Sequence, residues 1–216
     1  MSPASHHVDP GFHRAQGAAV RRQVIVACAV LVALGRPACA DAPSGREVRC
    51  LALVAYTEAA VDGEAGMAAV IRVVRNRMAD SRFPDDACAV VAQVAQFQPV
   101  AQSAVLQQVV RDPEGYSIPQ VLGLRTPAAR RLLARAHALA RTLPRRPDPT
   151  GGALYFVNPD LMDPERCPWF AALKRTARIG GHVFMTHYRP GEPPGPPALD
   201  CGPAGGGKGT AAAPVG

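Results

Sequence analysis

The chain reads as an α+β domain, predominantly helical, with one small β-hairpin near its end. Two observations predict that class. Apolar residues recur at helical spacing in segments from Glu47 to Leu143. After Asp148-Pro149-Thr150-Gly151-Gly152 the texture changes to short runs rich in aromatic and β-branched residues. A third observation predicts a single domain: no internal repeat divides residues 41–188, a length suited to one core.

The elements follow in order. Val48, Leu51, Val54 and Ala55 form the apolar stripe of a first helix, from Glu47 to about Val61. A second helix follows at once, from Ala65 to Ala79, with Val70, Val73, Val74 and Met78 as its stripe. Ser81-Arg82-Phe83-Pro84 interrupts it, and Asp85-Asp86 marks the N-terminus of a third helix over 87–95, because carboxylates favour helix N-termini. A loop carries Gln96-Phe97-Gln98-Pro99, and a short helix spans about Ser103 to Arg111. Residues 112–123 are turn-rich, and Thr126-Pro127 starts a long, arginine-studded helix over 128–143. Ala153 to Val157 reads as a strand that ends at Asn158-Pro159. The extended run from Arg178 to Met185 is expected to pair with it as a long-looped hairpin. From Arg189 proline, glycine and alanine dominate, so residues 189–216 are expected to form a disordered tail, with too little apolar surface to offset ordering entropy.

The first forty residues resemble an export signal. Arg21-Arg22 precede an apolar run from Val24 to Leu34, and Ala38-Cys39-Ala40 supplies small residues for cleavage after Ala40. That run is too short to cross a bilayer comfortably as a helix. A lipid anchor at Cys39 is the weaker alternative, because Arg36 stands where such a site wants an apolar residue. The expected destination is the periplasm or cell envelope, with no membrane association after signal cleavage.

The full chain carries 24 basic and 17 acidic residues. The leader takes Arg14, Arg21, Arg22 and Arg36 with it against Asp9 alone, so the exported part keeps a smaller positive balance. Such a balance suits an anionic wall polymer and argues weakly for any nucleic-acid partner, and none is expected. Cys50, Cys88, Cys167 and Cys201 remain after processing. Four cysteines in an oxidising compartment allow three pairings, among which sequence does not choose. No Cys-x-x-Cys or paired Cys/His spacing points to zinc, so no metal is expected.

Glu58 is the candidate for chemistry. It stands near the end of the first helix, and the second helix begins just beyond Gly63-Glu64. A carboxyl group half-sunk between two tightly joined helices has its charged form disfavoured by desolvation. It can stay protonated near neutral pH and hand its proton to a leaving oxygen. The other reading of this position is a solvated helix-end carboxylate, and burial of the side chain separates the two.

Glu58-Ala59 followed by Asn76-Arg77, then Phe83-Pro84 and Gln96-Phe97, then the segments 148–159 and 179–184, are ordered blocks that together resemble the spore-cortex-lytic (SleB-type) cell wall hydrolases. Glu58-Ala59 and Asn76-Arg77 stand in the family's helix-glycine-helix relation, with Gly66 and Ala69-Val70 at matching points. Phe83-Pro84, Cys88-Ala89-Val90-Val91 and Gln96-Phe97 are similar to its next block. The segments from Asp148 to Pro159 and from Ile179 to Phe184 are similar to its closing motifs. The likeness covers roughly Leu51 to Phe184.

The resemblance implies a lysozyme-like fold and cleavage of peptidoglycan between N-acetylmuramic acid and N-acetylglucosamine. It implies that glycan strands are the partner, that no cofactor is needed, and that Glu58 is the general acid/base of a lytic transglycosylase. Thr57, Ala60-Val61-Asp62, Met67 and Gln98-Pro99-Val100 depart from the family pattern. They motivate the alternative, a catalytically weakened peptidoglycan-binding or scaffold protein. Asp62 lies four residues past Glu58, on the same face if the helix persists. Asp62, Asn76, Gln96, Phe97, Tyr155, Asn158 and His182 are the candidate substrate-binding residues, each with an ordinary structural role as its competitor.

Overall fold

A helical layer built around one buried helix carries a three-stranded antiparallel sheet at its side. The computed structural model describes residues 43–93, 97–143 and 146–202. The expected leader over 1–40 and the segment 203–216 lie outside the described residues, as does Gln96. No helix among the described residues is long and apolar enough to cross a membrane.

Helix α1 (Gly45–Ala59) opens with a reciprocal cap: Ser44 Oγ accepts from the Glu47 amide at 3.1 Å, and Glu47 Oε2 accepts from the Ser44 amide at 2.9 Å. Leu51, Ala52, Val54 and Ala55 on α1 are fully buried, so this helix is wrapped on most sides. A single 3-10 turn (Ala60–Asp62) separates it from α2 (Gly63–Met78). The helix therefore does not persist to Asp62. Gly66 permits the tight join, because a Cβ there would run into Asp62 and press on Ala59.

Helix α3 (Ala87–Val91) is capped by Asp86, whose Oδ1 accepts from the Ala89 amide at 2.8 Å. It is shorter than the expected 87–95. Two four-residue helices, α4 (Gln98–Ala101) and α6 (Ile118–Val121), flank α5 (Ala104–Arg111), each with a proline in its first turn. Helix α7 (Pro127–Thr142) starts where Thr126 Oγ1 accepts from the Ala129 amide at 3.2 Å. Its Leu133, Ala136, Leu139 and Ala140 close the core against α1 and α2.

The sheet order is β1-β3-β2, from β1 (Tyr155–Val157), β2 (Lys174–Ile179) and β3 (His182–Thr186). The extended run from Arg178 to Met185 is thus two strands. Gly180, at φ +59°, turns the chain between them, a conformation that other L-residues rarely adopt. β3 pairs with both neighbours, with Tyr155 opposite Met185 and Ile179 opposite His182. Helix α8 (Cys167–Ala171) lies between β1 and β2 in sequence.

Two disulfides resolve the open pairing: Cys50–Cys88 ties α1 to α3, and Cys167–Cys201 ties α8 to the C-terminal segment. That segment corrects the expected tail. Through Gly202 it is described, with Ala198 and Leu199 buried beside Phe170, Leu173 and Met185. The Ala198 amide donates to the Ala171 carbonyl at 3.1 Å. Two apolar anchors and one covalent link hold a proline-rich strip that composition alone would leave free.

Candidate active site

Glu58 is the next-to-last residue of α1, set among Val54, Ala55 and Ala59, all fully buried. Its side chain opens into a cleft of about 300 Å³ whose walls include Arg77, Tyr155, Asn158, Asp163 and Trp169. Oε1 of Glu58 is buried and has no hydrogen-bond partner among the described residues. Burial pushes this carboxyl up to about 7. The carbonyl-rich end of α1 acts in the same sense, since it disfavours negative charge. A carboxylic acid in that range can be protonated and ionised in turn near neutral pH.

Two cations line this cleft, Arg77 on α2 and Arg166, and of the two Arg77 is buried. Its Nε donates to the Leu154 carbonyl at 2.7 Å, fixing α2 to the start of β1. Its guanidinium carbon lies 5.2 Å from the ring centres of Phe83 and Phe97 and 5.5 Å from that of Tyr155. Burial lowers its pKa to about 10, with Tyr155 opposing that change, and it remains charged at neutral pH. Nη1 has no partner among the described residues, so donor capacity is left for an oxygen entering the cleft.

The aromatic wall comes from three elements. Tyr155 on β1 meets Trp169 on α8 edge to face, with centroids 5.1 Å apart at 89°. Phe83, from the loop after α2, approaches Tyr155 at 6.4 Å. Trp169 is 50% exposed, so much of its indole faces the opening rather than the core. Tyr155 shares a hydrogen bond of 3.0 Å with His187 Nε2. Asn158 Oδ1 accepts from the Asp160 amide at 3.0 Å, which leaves its Nδ2 hydrogens for other partners.

Of the residues expected from sequence, Glu58, Tyr155 and Asn158 meet in this cleft. Four others stand elsewhere. Phe97 is fully buried in the helical core against Arg77 and Phe156. Asn76 Nδ2 donates to Asp148 Oδ2 and to the Ala153 carbonyl, both at 3.0 Å, and so clamps the loop before β1. Asp62 accepts from the Gly181 amide at 3.0 Å and from His182 Nδ1 at 2.7 Å, which occupies both residues. Arg77, Phe83, Trp169 and Asp163 were not anticipated. Arg77 stood in the Asn76-Arg77 pair, and its role needed the aromatic box that only folding assembles. Trp169 sits in a stretch with no periodic pattern.

Comparison with known proteins adds a family. Residues 61–185 match the cell wall hydrolase family. A spore cortex-lytic enzyme of Halalkalibacterium halodurans is 30% identical over 141 residues, covering 65% of this chain and 35% of that protein. The spore cortex-lytic enzyme of Bacillus subtilis is 25% identical over 141 residues, covering 65% of this chain and 38% of that protein. The chain thus spans little more than a third of the length of these curated relatives. Among solved structures, the catalytic domain of the germination-specific lytic transglycosylase SleB from Bacillus anthracis aligns with a TM-score of 0.49 at 23% identity, covering 68% of this chain and 98% of that one. The catalytic domain of the Bacillus cereus SleB protein aligns with a TM-score of 0.44 at 26% identity, covering 70% of this chain and 98% of that one. The family match begins at Val61, just past Glu58, so the role of that carboxyl rests on its surroundings.

Proposed function

The chain belongs to the cell wall hydrolase family, and from that premise we propose that it cleaves the N-acetylmuramic acid to N-acetylglucosamine bond of peptidoglycan as a lytic transglycosylase, with Glu58 as its general acid and base. The observation that carries this reading is the Glu58 carboxyl, whose buried Oε1 has no partner among the described residues and which burial pushes up to about 7 beside a cleft walled by aromatic rings. Protonated Glu58 donates its proton to the glycosidic oxygen as the bond from muramic C1 breaks. The resulting carboxylate takes the proton of the muramic C6 hydroxyl as O6 attacks C1. A 1,6-anhydro ring closes, Glu58 is again protonated, and no water is consumed. Arg77 supplies a fixed positive charge, and Trp169 and Tyr155 supply ring faces against which sugars pack. Two disulfides suit a domain that works outside the reducing cytosol, and the proposed location is the periplasm or cell envelope.

Digestion of purified sacculi followed by muropeptide identification tests this. Products ending in 1,6-anhydromuramic acid support it. Reducing ends would assign hydrolysis instead and turn attention to Asp163, the other carboxylate on the cleft wall, as activator of water. Lysis that survives Glu58→Gln would remove Glu58 from the role.

A further inference from the structure

A second cavity, of about 620 Å³, lies at the end of the sheet and is larger than the cleft that holds Glu58. Its lining differs in kind. Arg82, Lys174 and Arg189 face it together with Asp80 and Glu192, three cations against two carboxylates. Arg82 is paired with Asp80 at 2.7 Å, and Lys174 is paired with Glu192. Arg189 enters no side-chain salt bridge among the described residues. Its backbone amide donates to Glu192 Oε2 at 3.0 Å, which fixes where its side chain leaves the chain.

The two cavities are neighbours. His187 belongs to the second, Tyr155 to the first, and their rings are 5.2 Å apart and joined by the hydrogen bond already described. Neutral sugars give little return for desolvating charged side chains, and an aromatic wall suits them better. The muramic sugar, however, carries a peptide stem on its lactyl ether, with free carboxylates and the amine of a diamino acid. That mixture of charges matches the second cavity. A four-residue stem reaches about 13 Å when extended, enough to pass from one cavity into its neighbour.

We propose that this mixed-charge cavity binds the peptide stem of the muramic residue whose glycosidic bond lies in the Glu58 cleft, with Arg189 receiving a stem carboxylate. This deepens the peptidoglycan reading and rests on it. The stem is then a recognition element, and strands stripped of peptides are poorer substrates.

The test compares peptide-bearing sacculi with glycan strands freed of stems by an amidase. The expected kcat/KM is about tenfold higher on the peptide-bearing strands. Arg189→Glu should lower it about tenfold on those strands, through KM, and leave stripped strands unaffected, while Arg189→Lys keeps most of the preference. Calorimetry of Glu58→Gln with the free tetrapeptide L-Ala-D-Glu-diaminopimelate-D-Ala should show binding that Arg189→Glu removes. Equal turnover of both substrates, or an equal loss on both in Arg189→Glu, overturns the stem site and leaves the glycan assignment standing. If neither substrate is cleaved the assignment of function fails, and the calorimetric arm still decides whether the cavity takes a stem.

Discussion

Asp62 Oδ2 accepts a hydrogen bond of 2.7 Å from His182 Nδ1, joining the turn after the Glu58 helix to the turn of the β2–β3 hairpin. Its other oxygen takes the Gly181 amide at 3.0 Å. Both side chains are largely buried, at 13% and 8% exposure. One carboxylate thus holds the helical layer and the sheet in register.

Asp62→Ala would leave His182 and the Gly181 amide without their acceptor. The expected loss is about 2–3 kcal/mol, since buried donors stripped of a partner bear the full desolvation cost. Asp62→Asn keeps an acceptor for Gly181 and should lose less. Urea unfolding of the three proteins checks the order, and a neutral Asp62→Ala would mean that the contact holds nothing.

Gly180→Ala should destabilise for a related reason. The residue has φ +59°, and a Cβ there would collide with the Asp62 carboxylate. The expected cost is about 1–3 kcal/mol. In an Asp62→Ala background the two closest contacts, with Cγ and Oδ1, disappear while the one with Cβ at 2.7 Å stays, so the double mutant should lose less than the two single losses combined. Simple additivity in thermal unfolding would contradict the contact.

The helices were legible because their apolar stripes and two of their caps are local: Asp86 and Thr126 each start a helix and are visible within a few residues, while the Ser44 cap places the first helix start two residues before the expected Glu47. Glu58 stood out because it lies between two apolar helices with almost no linker, but its position alone fitted a solvated helix-end carboxylate equally well, and the burial of its Oε1 decides. Asp62 and His182 were singled out as substrate contacts, yet they lie 120 residues apart and meet each other. Local spacing carries no information about such a meeting. Phe97 next to Gln98 reads equally well as cleft wall or core, and only the position of α2 with Arg77 decides for core. The C-terminal strip was hidden for another reason. Its anchors are two apolar residues and a cysteine, too few to outweigh proline and glycine in composition.

Glu58 ties folding stability to pH and, as the proposed general acid, ties activity to the same proton. Its pKa is about 7 in the folded chain against 4.5 as the reference for an exposed glutamate. Below about 4.5 both states are protonated and the group costs nothing. As pH rises from 4.5 towards 7 the unfolded chain ionises first, so folding stability falls, and above about 7 the loss is complete. It amounts to at most about 3 kcal/mol. Glu58→Gln should therefore be more stable than the parent at pH 8 and near parity at pH 4, by denaturant titration. The same ionisation should lower the rate of sacculus lysis as pH rises through about 7, because the proposed general acid loses its proton. A gain in stability that is the same at both pH values would show that Glu58 is not buried as an acid.

Trp169→Ala removes the half-exposed ring that meets Tyr155 edge to face. If sugars pack on that ring, KM for glycan should rise about tenfold with kcat little changed, a loss of about 1–1.5 kcal/mol of binding. Trp169→Phe should recover part of it. A fall in kcat with KM untouched would place Trp169 as a support for Tyr155 instead.

Reduction of Cys167–Cys201 should act on the same wall from behind. The bond closes a loop spanning 34 positions and anchors α8, which carries Trp169 and Phe170 into the cleft. Loop-closure entropy gives about 3–4 kcal/mol for a crosslink of this span. Cys50–Cys88 instead sits inside the helical core, on buried residues of α1 and α3 that dithiothreitol reaches only when the chain opens. Cys201 is exposed, so mild reductant should open the second bond first. The expected result is a state that keeps its helical circular dichroism, shows altered Trp169 fluorescence, and binds glycan more weakly. Cys201→Ser should reproduce it without reductant. Unchanged fluorescence and binding in Cys201→Ser would mean that Ala198 and Leu199 alone hold α8 in place.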